Sequence, residues 1–330
     1  MTDYKDQQER IHSKPPPNFQ AVIDAFIAAI PSRHIVKLGN LLGTLIYYVD
    51  VPHRRIVRRN LMFVHPDWSP DRISFFSKRI FQNVAVTFME IIQMASLSCE
   101  EIMDRIKIDG DGHIHRALAL NRGLIFVSAH LGNWEAGLQF MSCFSQTPMT
   151  GVAKKIRFRP LHRWLNRQRI RFGVQIVDKK GALPKMRQAL RRGEVIALLI
   201  DQGKRSESVD VSFFGKKVTV PPAAALLALR CKCPVLPTFC VREKTGQLTI
   251  RIESPLNLQR TGDLKKDLIV NTQMMTEIVE RAVRAYPDQW LWMHKRWKKH
   301  YPDLYPEHYA RRQRRKQREQ RRSPQYRQKY

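Results

Sequence analysis

From residue 124 onward, short apolar runs rich in β-branched residues alternate with stretches whose apolar residues recur at helical spacing. The runs at 124–129, 149–153, 174–177, 195–200, 235–241 and 248–252 are too short for helices and are bounded by turn residues. Between and after them, 135–144, 160–172, 183–192, 222–230 and 264–285 carry the helical pattern. Alternation of this kind predicts an α/β fold, with a parallel or mixed sheet and helices on its faces. Nothing repeats along the chain.

The amino-terminal third reads differently. Residues 19–104 are helical in pattern, and 71–95 hold no glycine or proline. The apolar stretches 19–30 and 35–49 are interrupted by Asp24, Pro31, Arg33, His34 and Lys37. Neither reaches the roughly 20 unbroken apolar residues of a membrane-spanning helix. Two readings fit: helices packed on the core, or an interfacial hairpin in a headgroup layer. Tyr47, Tyr48 and the cluster Arg54, Arg55, Arg58 and Arg59 favour the second. Residues 1–18 form a polar lead without the apolar segment of a secretory signal. The expected organisation is a flexible lead (1–18), a helical membrane-associating region (19–104), an α/β core (105–300) and a basic tail (301–330).

The net charge of +29 points to polyanionic partners. Residues 311–330 contribute +9, so +20 belongs to the rest of the chain and the tail alone is not responsible. Nucleic acid is the rival class of partner. It is not expected, because no zinc finger, RNP motif or helix-turn-helix pattern appears. The five cysteines are odd in number and sit mostly in apolar runs, which predicts reduced core thiols and a cytosolic setting. Cys231, Cys233 and Cys240 lack the partners of a tetrahedral zinc set, so no metal is expected.

The segment with chemistry is Leu124-Ile-Phe-Val-Ser-Ala-His130-Leu-Gly-Asn-Trp-Glu135. An apolar strand ends in a polar cluster; Gly132 allows a tight turn and Asn133 suits a helix N-cap. In one unbroken helix, His130 and Glu135 would lie about 140° apart around the axis. If His130 leaves the strand and Glu135 opens the helix, the turn folds the two side chains together. An imidazole with a pKa of roughly 6.5 takes a proton from an attacking alcohol, and a carboxylate on its other nitrogen fixes the tautomer.

Ala129-His130-Leu-Gly-Asn-Trp-Glu135 resembles the first motif of the bacterial lipid A biosynthesis acyltransferases, the late lauroyl and myristoyl transferases. Their His-x4-Asp/Glu motif is shared with the glycerol phosphate acyltransferases. The resemblance spans roughly residues 20–300. In order it includes Arg159-Pro160 with Asn166, Arg167, Arg169, Arg171 and Gly173, then Ile200-Asp201-Gln202, Phe213-Phe214-Gly215 with Thr219, and Trp290-Leu-Trp292-x-His294-x-Arg296-Trp297.

The resemblance implies a glycerol-phosphate-acyltransferase-like mixed sheet flanked by helices, with His130 as general base and Glu135 as its partner. It implies an acyl-acyl carrier protein as donor, whose phosphopantetheine is the only prosthetic group needed, and a hydroxyl of a phosphorylated glycolipid as acceptor. It places the protein on the cytoplasmic face of the inner membrane; the polar lead points to peripheral attachment.

Lys154 to Arg171 holds eight basic and no acidic residues, a pattern that awaits an anion. Arg157 and Arg159 are expected to meet substrate phosphate or the developing oxyanion. Asn133, Arg169 and Asp201 complete the expected substrate-binding set. Asp201 would orient an arginine of this cluster or meet the acceptor's hydroxyls. Phe213-Phe214-Gly215 reads equally as acyl-tunnel lining or as core. The tryptophan-rich segment reads equally as a headgroup interface or as a lid packed on the core. Another membrane glycolipid or aminolipid remains the alternative acceptor.

Overall fold

The computed structural model describes residues 30–307, apart from 154, 155, 157, 180 and 204–207. The polar lead, the stretch 19–29, Arg157 and the tail beyond 307 therefore lie outside the described residues.

Four helices open the described chain: α1 (Ser32–Val49), α2 (Val51–Val64), α3 (Pro70–Met94) and α4 (Cys99–Arg105). Helix α3 starts where local chemistry dictates. The Ser69 side chain accepts from Arg72 N–H, a proline occupies the first helical position and Asp71 follows in the first turn. Helix α1 lies against α3 with backbones almost touching. A Cβ at Gly39 would sit 2.7 Å from Val86 Cα, and one at Gly43 2.4 Å from Gln82 Cα. Gln82 Nε2 also donates to Thr44 Oγ1 at 2.9 Å. The glycine face of α1 is thus committed inward, which leaves the leucine face outward.

The α/β part follows as β1 (Ile106–Asp109), α5 (Asp111–Leu118), β2 (Leu124–Ser128), α6 (Trp134–Ser145), β3 (Met149–Ala153), α7 (Arg159–Arg171), β4 (Val174–Asp178) and α8 (Ala182–Arg191). Then come β5 (Val195–Leu199), β6 (Val209–Phe213), β7 (Lys216–Val220), α9 (Ala223–Cys231), β8 (Val235–Arg242), β9 (Leu248–Ile252) and α10 (Leu264–Ala285). Seven strands form one sheet in the order β1-β9-β8-β2-β5-β3-β4. All neighbours are parallel except β8 and β9, so the expected mixed sheet flanked by helices is what forms. The alternation pattern does not reveal β1 or the β6–β7 hairpin. Phe213-Phe214-Gly215 makes that hairpin's turn, with Phe214 and Gly215 at positive φ.

Strand β2 shows why the central runs are apolar throughout. Ile125 and Val127 join the core on one sheet face, with α8, α9 and α10. Leu124 and Phe126 join the core on the other, with α4, α5 and α6. Both faces are covered, as helices on a parallel sheet require. The register between β2 and β5 positions the site. Ser128 pairs with Leu199, and two residues further along, the two parallel strands end in His130 and Asp201.

One expectation about cysteine is corrected. Cys99 and Cys143 form a disulfide that joins α4 to α6, so the all-thiol reading fails and its argument for a cytosolic setting goes with it. The two residues are 44 apart in sequence, and only the packing of α4 on α6 makes them neighbours. Cys233 and Cys240 are buried thiols, pushed up to about 12 by loss of water.

Candidate active site

Strands β2 and β5 deliver their ends to one place, the carboxyl edge of a parallel sheet, where α/β folds place ligands. His130 follows β2, and its imidazole is about one-fifth exposed. Asp201 follows β5 and is buried. Its carboxylate grips the histidine twice: Oδ1 lies 2.8 Å from His130 Nδ1, and Oδ2 accepts from His130 N–H at 3.0 Å. The indole N–H of Trp290 also donates to Oδ2, at 2.9 Å.

Burial by itself would push the Asp201 carboxyl up. The charge of His130 and the hydrogen bonds from His130 and Trp290 outweigh it and hold the group well below the usual carboxylate range. Burial likewise works against the imidazolium. The Asp201 charge and hydrogen bond, with a smaller contribution from the Glu135 charge, overcome it and raise the histidine. An ionised carboxylate only accepts, so Nδ1 carries the proton and Nε2 is the nitrogen left for chemistry.

The expected His130–Glu135 contact does not form. Glu135 lies in the first turn of α6 and pairs with Arg169 of α7. Arg169 Nε donates to Oε2 at 2.9 Å, and a second guanidinium nitrogen donates to Oε1. This is a bidentate pair with both partners buried. The turn does carry Glu135 back toward the histidine, near enough for its charge to be felt, but the helix start aims the side chain at α7. Asp201, expected to orient an arginine of that cluster or to meet the acceptor's hydroxyls, instead holds the imidazole, the contact expected of Glu135.

Removing one member of a buried ion pair strands the other charge. Glu135→Ala should therefore lower stability by about 3–5 kcal/mol, read as a loss in melting temperature, and should cost less in kcat than removing His130. A kcat loss as large as that of His130→Ala, with the melting temperature intact, would move Glu135 into the proton relay.

The other expected binding residues divide. Arg169 is committed to Glu135. Asn133 is fully buried and caps α6: its Oδ1 accepts from Ala136 N–H at 3.0 Å, and its amide donates to Glu90 at 2.9 Å. The N-cap is as anticipated, but the substrate contact expected of Asn133 is not available, since both ends of its side chain are in use. Arg159 is exposed at the start of α7.

The loop between His130 and Asn133 is braced from beneath. Gly132 has φ +58°, and a Cβ there would lie 2.0 Å from the Cys240 carbonyl oxygen, so only glycine fits. Thr87 of α3 donates to the Gly132 carbonyl at 3.1 Å. Arg242, at the end of β8, forms a buried pair with Glu90 of α3 and donates to Asn83 at 2.9 Å.

Two further groups act on the imidazole. The Gln202 amide nitrogen lies 3.3 and 3.4 Å from the two ring nitrogens. The Lys179 charge disfavours the imidazolium. Sequence reading missed Glu90 and Arg242 as a pair. The available signal was an acid within an amphipathic helix and an arginine closing an eight-residue apolar strand, two charges that must find one another.

The tryptophan segment is core, not a headgroup interface. Trp290, Trp292 and Trp297 are all buried, and Phe213 packs against Trp290 and Trp297 with centroids 5.5 and 6.1 Å away. That assigns Phe213 to the core as well. Burial pushes His294 down to about 3 and Arg296 down to about 10, so neither is a water-facing cation. An apolar cavity of about 80 Å³ lies beside Glu135 and Arg169, between α6 and the sheet. Leu138, Met141, Met149, Ile176 and Ala197 line it. Among the described residues, no group of three His, Cys, Asp or Glu side chains is placed to hold a metal ion.

Comparison with known proteins adds chemistry to this geometry. The family model described as bacterial lipid A biosynthesis acyltransferase matches residues 18–299. A lipid A biosynthesis lauroyltransferase of Escherichia coli is 28% identical over 276 residues, covering 82% of this chain and 88% of that protein. A lipid A biosynthesis acyltransferase of Haemophilus influenzae is 27% identical over 271 residues, 81% of this chain and 82% of that one. A phosphatidylinositol mannoside acyltransferase of Mycolicibacterium smegmatis is 26% identical over 202 residues, 60% of this chain and 63% of that one.

Proposed function

The chain belongs to the bacterial lipid A biosynthesis acyltransferase family and is an O-acyltransferase, and on that premise we propose that it moves a fatty acyl group from an acyl-acyl carrier protein to a hydroxyl of a phosphorylated lipid A precursor. The observation that carries the mechanism is the His130–Asp201 dyad at the carboxyl ends of two adjacent parallel strands.

His130 Nε2 accepts the proton of the acceptor hydroxyl as its oxygen attacks the thioester carbonyl. Asp201 holds the tautomer and stabilises the imidazolium. When the tetrahedral intermediate collapses, the carbon–sulfur bond breaks and His130 returns the proton to the departing thiolate. The products are an ester and the free thiol of the carrier. The cavity between α6 and the sheet takes the acyl chain near the carbonyl. Arg157 and Arg159 meet the precursor's phosphate or the oxyanion. No cofactor is required beyond the phosphopantetheine of the donor.

The same reading places the protein peripherally on the cytoplasmic face of the inner membrane. No helix among the described residues is long and apolar enough to cross a bilayer. The outward face of α1 nonetheless presents Leu38, Leu41, Leu42, Leu45 and Val49, all exposed at helical spacing, opposite the glycines that clamp it to α3. Such a stripe with basic residues nearby suits the interfacial layer of an anionic membrane. Burying a leucine side chain is worth about 1.5–3 kcal/mol. The double change Leu41→Asp and Leu45→Asp should therefore weaken binding to anionic vesicles by at least roughly a hundredfold in a sedimentation assay. Undiminished binding would move the membrane contact elsewhere.

A second acceptor class has support from the phosphatidylinositol mannoside acyltransferase among the relatives. Mass spectrometry of the lipids of cells with and without the protein separates the two. The proposal expects a lipid A species lighter by one acyl chain in its absence. A change confined to a different glycolipid or aminolipid would keep the chemistry and replace the acceptor. Unchanged lipids would overturn the reading.

A further inference from the structure

The tryptophan motif, which the sequence singles out and the reaction scheme leaves unused, meets the dyad directly. Residues 289–291 run across the histidine loop as a strap. Leu131 and Trp290 form an antiparallel bridge, Leu291 N–H donates to the His130 carbonyl at 2.9 Å, and Gly132 N–H donates to the Gln289 carbonyl at 3.1 Å. From the same strap the Trp290 indole reaches Asp201 Oδ2 at 2.9 Å. One short segment therefore grips the backbone of the histidine and the side chain of its carboxylate. The indole is pinned by its surroundings: Trp290 is buried, with Trp292 edge-on at 4.8 Å, Phe213 at 5.5 Å and Trp297 at 6.3 Å.

We propose that Trp290 is a positioning residue of the acyl transfer, whose indole N–H fixes the rotation of the Asp201 carboxylate and disperses its charge so that His130 stays a base of moderate strength. The proposal rests on the reaction assigned above. Asp201 Oδ2 faces two donors and Oδ1 faces the imidazole, so the carboxylate has one orientation that satisfies all three. Loss of the indole donor removes one of the three bonds that set this orientation and concentrates the carboxylate's charge on His130, which still meets Oδ2 through its N–H and Oδ1 through its imidazole. The bare carboxylate next to a neutral imidazole suffers more from that loss than the carboxylate next to an imidazolium. His130 then holds its proton to higher pH.

The test compares Trp290→Phe with Trp292→Phe in the full chain, through the pH profile of kcat/KM and an NMR titration of isotopically labelled His130. Trp292 is buried directly after the strap, but its indole donates to the Pro287 carbonyl at 2.7 Å and not to the dyad. Trp290→Phe should move the acidic limb and the His130 titration up by about 0.5–1 pH unit and lower kcat roughly 10–100-fold, the worth of a hydrogen bond to a charged group, with KM unchanged. Trp292→Phe should lower the melting temperature and leave both titrations in place.

Should Trp290→Phe fail to fold, β-(3-benzothienyl)alanine at position 290 keeps the indole's shape without its N–H and should give the same shift. A changed melting temperature with an unmoved His130 titration would overturn the proposal. The NMR titration needs no turnover. A shift in it, together with an inactive wild type on the lipid A precursor, would retain the positioning role and reject the assigned reaction.

Discussion

Replacing His130 with alanine lowers kcat by roughly 10²–10⁴-fold, the usual worth of a general base, and leaves donor and acceptor affinity nearly unchanged. The imidazole is partly exposed and makes its strong contact with Asp201, so its removal empties the position above the carboxylate without opening the core. The change shows in single-turnover rates of acyl transfer, where product release plays no part. The wild-type rate also carries the signature of the group. His130 must be neutral to accept a proton, and its folded pKa is raised above 6.5. Activity therefore falls as pH drops through a value above 6.5, earlier than for an unperturbed histidine. An acidic limb well below 6.5, or turnover that survives His130→Ala, would remove the histidine from its role.

Asp201→Asn has the second large effect, and it separates the two acids near the site. The amide keeps the carboxylate's shape but presents an NH₂ group, which cannot accept the Nδ1 proton as the carboxylate does. The ring then adopts the wrong tautomer, a change that costs about 10⁴-fold in the serine protease triad. We expect a kcat loss of roughly 10²–10⁴-fold with the acceptor KM little altered. The pH response has a definite sign: without the Asp201 charge, only the smaller effect of the Glu135 charge opposes burial at His130, so its pKa falls and the acidic limb moves to lower pH. A variant that is slower yet active to lower pH is the mark of a lost orienting carboxylate. A full-rate Asp201→Asn enzyme would return the partner role to Glu135.

The sequence discloses this site unevenly, for physical reasons. The β2 strand, the turn at Gly132 and the cap at Asn133 are local events, set by apolar runs, positive φ and side-chain-to-backbone bonding. They follow from the residues themselves. Which carboxylate meets His130 is decided by the pairing of β2 with β5, 71 residues away, and by where the first turn of α6 aims Glu135. Both acids were visible as site residues; their partners were not, because strand order is a tertiary property. The strap at Trp290 was conspicuous by composition, yet three tryptophans among basic residues are compatible with a membrane interface until the fold buries them. Strand β1 and the β6–β7 hairpin carry a different signal from the continuous apolar runs of the central sheet: Ile106 and Ile108, and Val209, Val211 and Phe213, alternate with polar residues, over segments only four or five residues long. The Cys99–Cys143 disulfide was hidden for the same reason as the dyad: only the packing of α4 on α6 makes the two residues neighbours.

Single-turnover transfer of a labelled acyl group from its carrier protein to a purified lipid A precursor decides whether the His130–Asp201 dyad performs acyl transfer. The wild-type protein should give a labelled precursor heavier by one acyl chain, and Asp201→Asn should slow the chemical step at least about a hundredfold at unchanged precursor affinity. No labelled product from the wild type, or an equal rate from the variant, would contradict that role of the dyad.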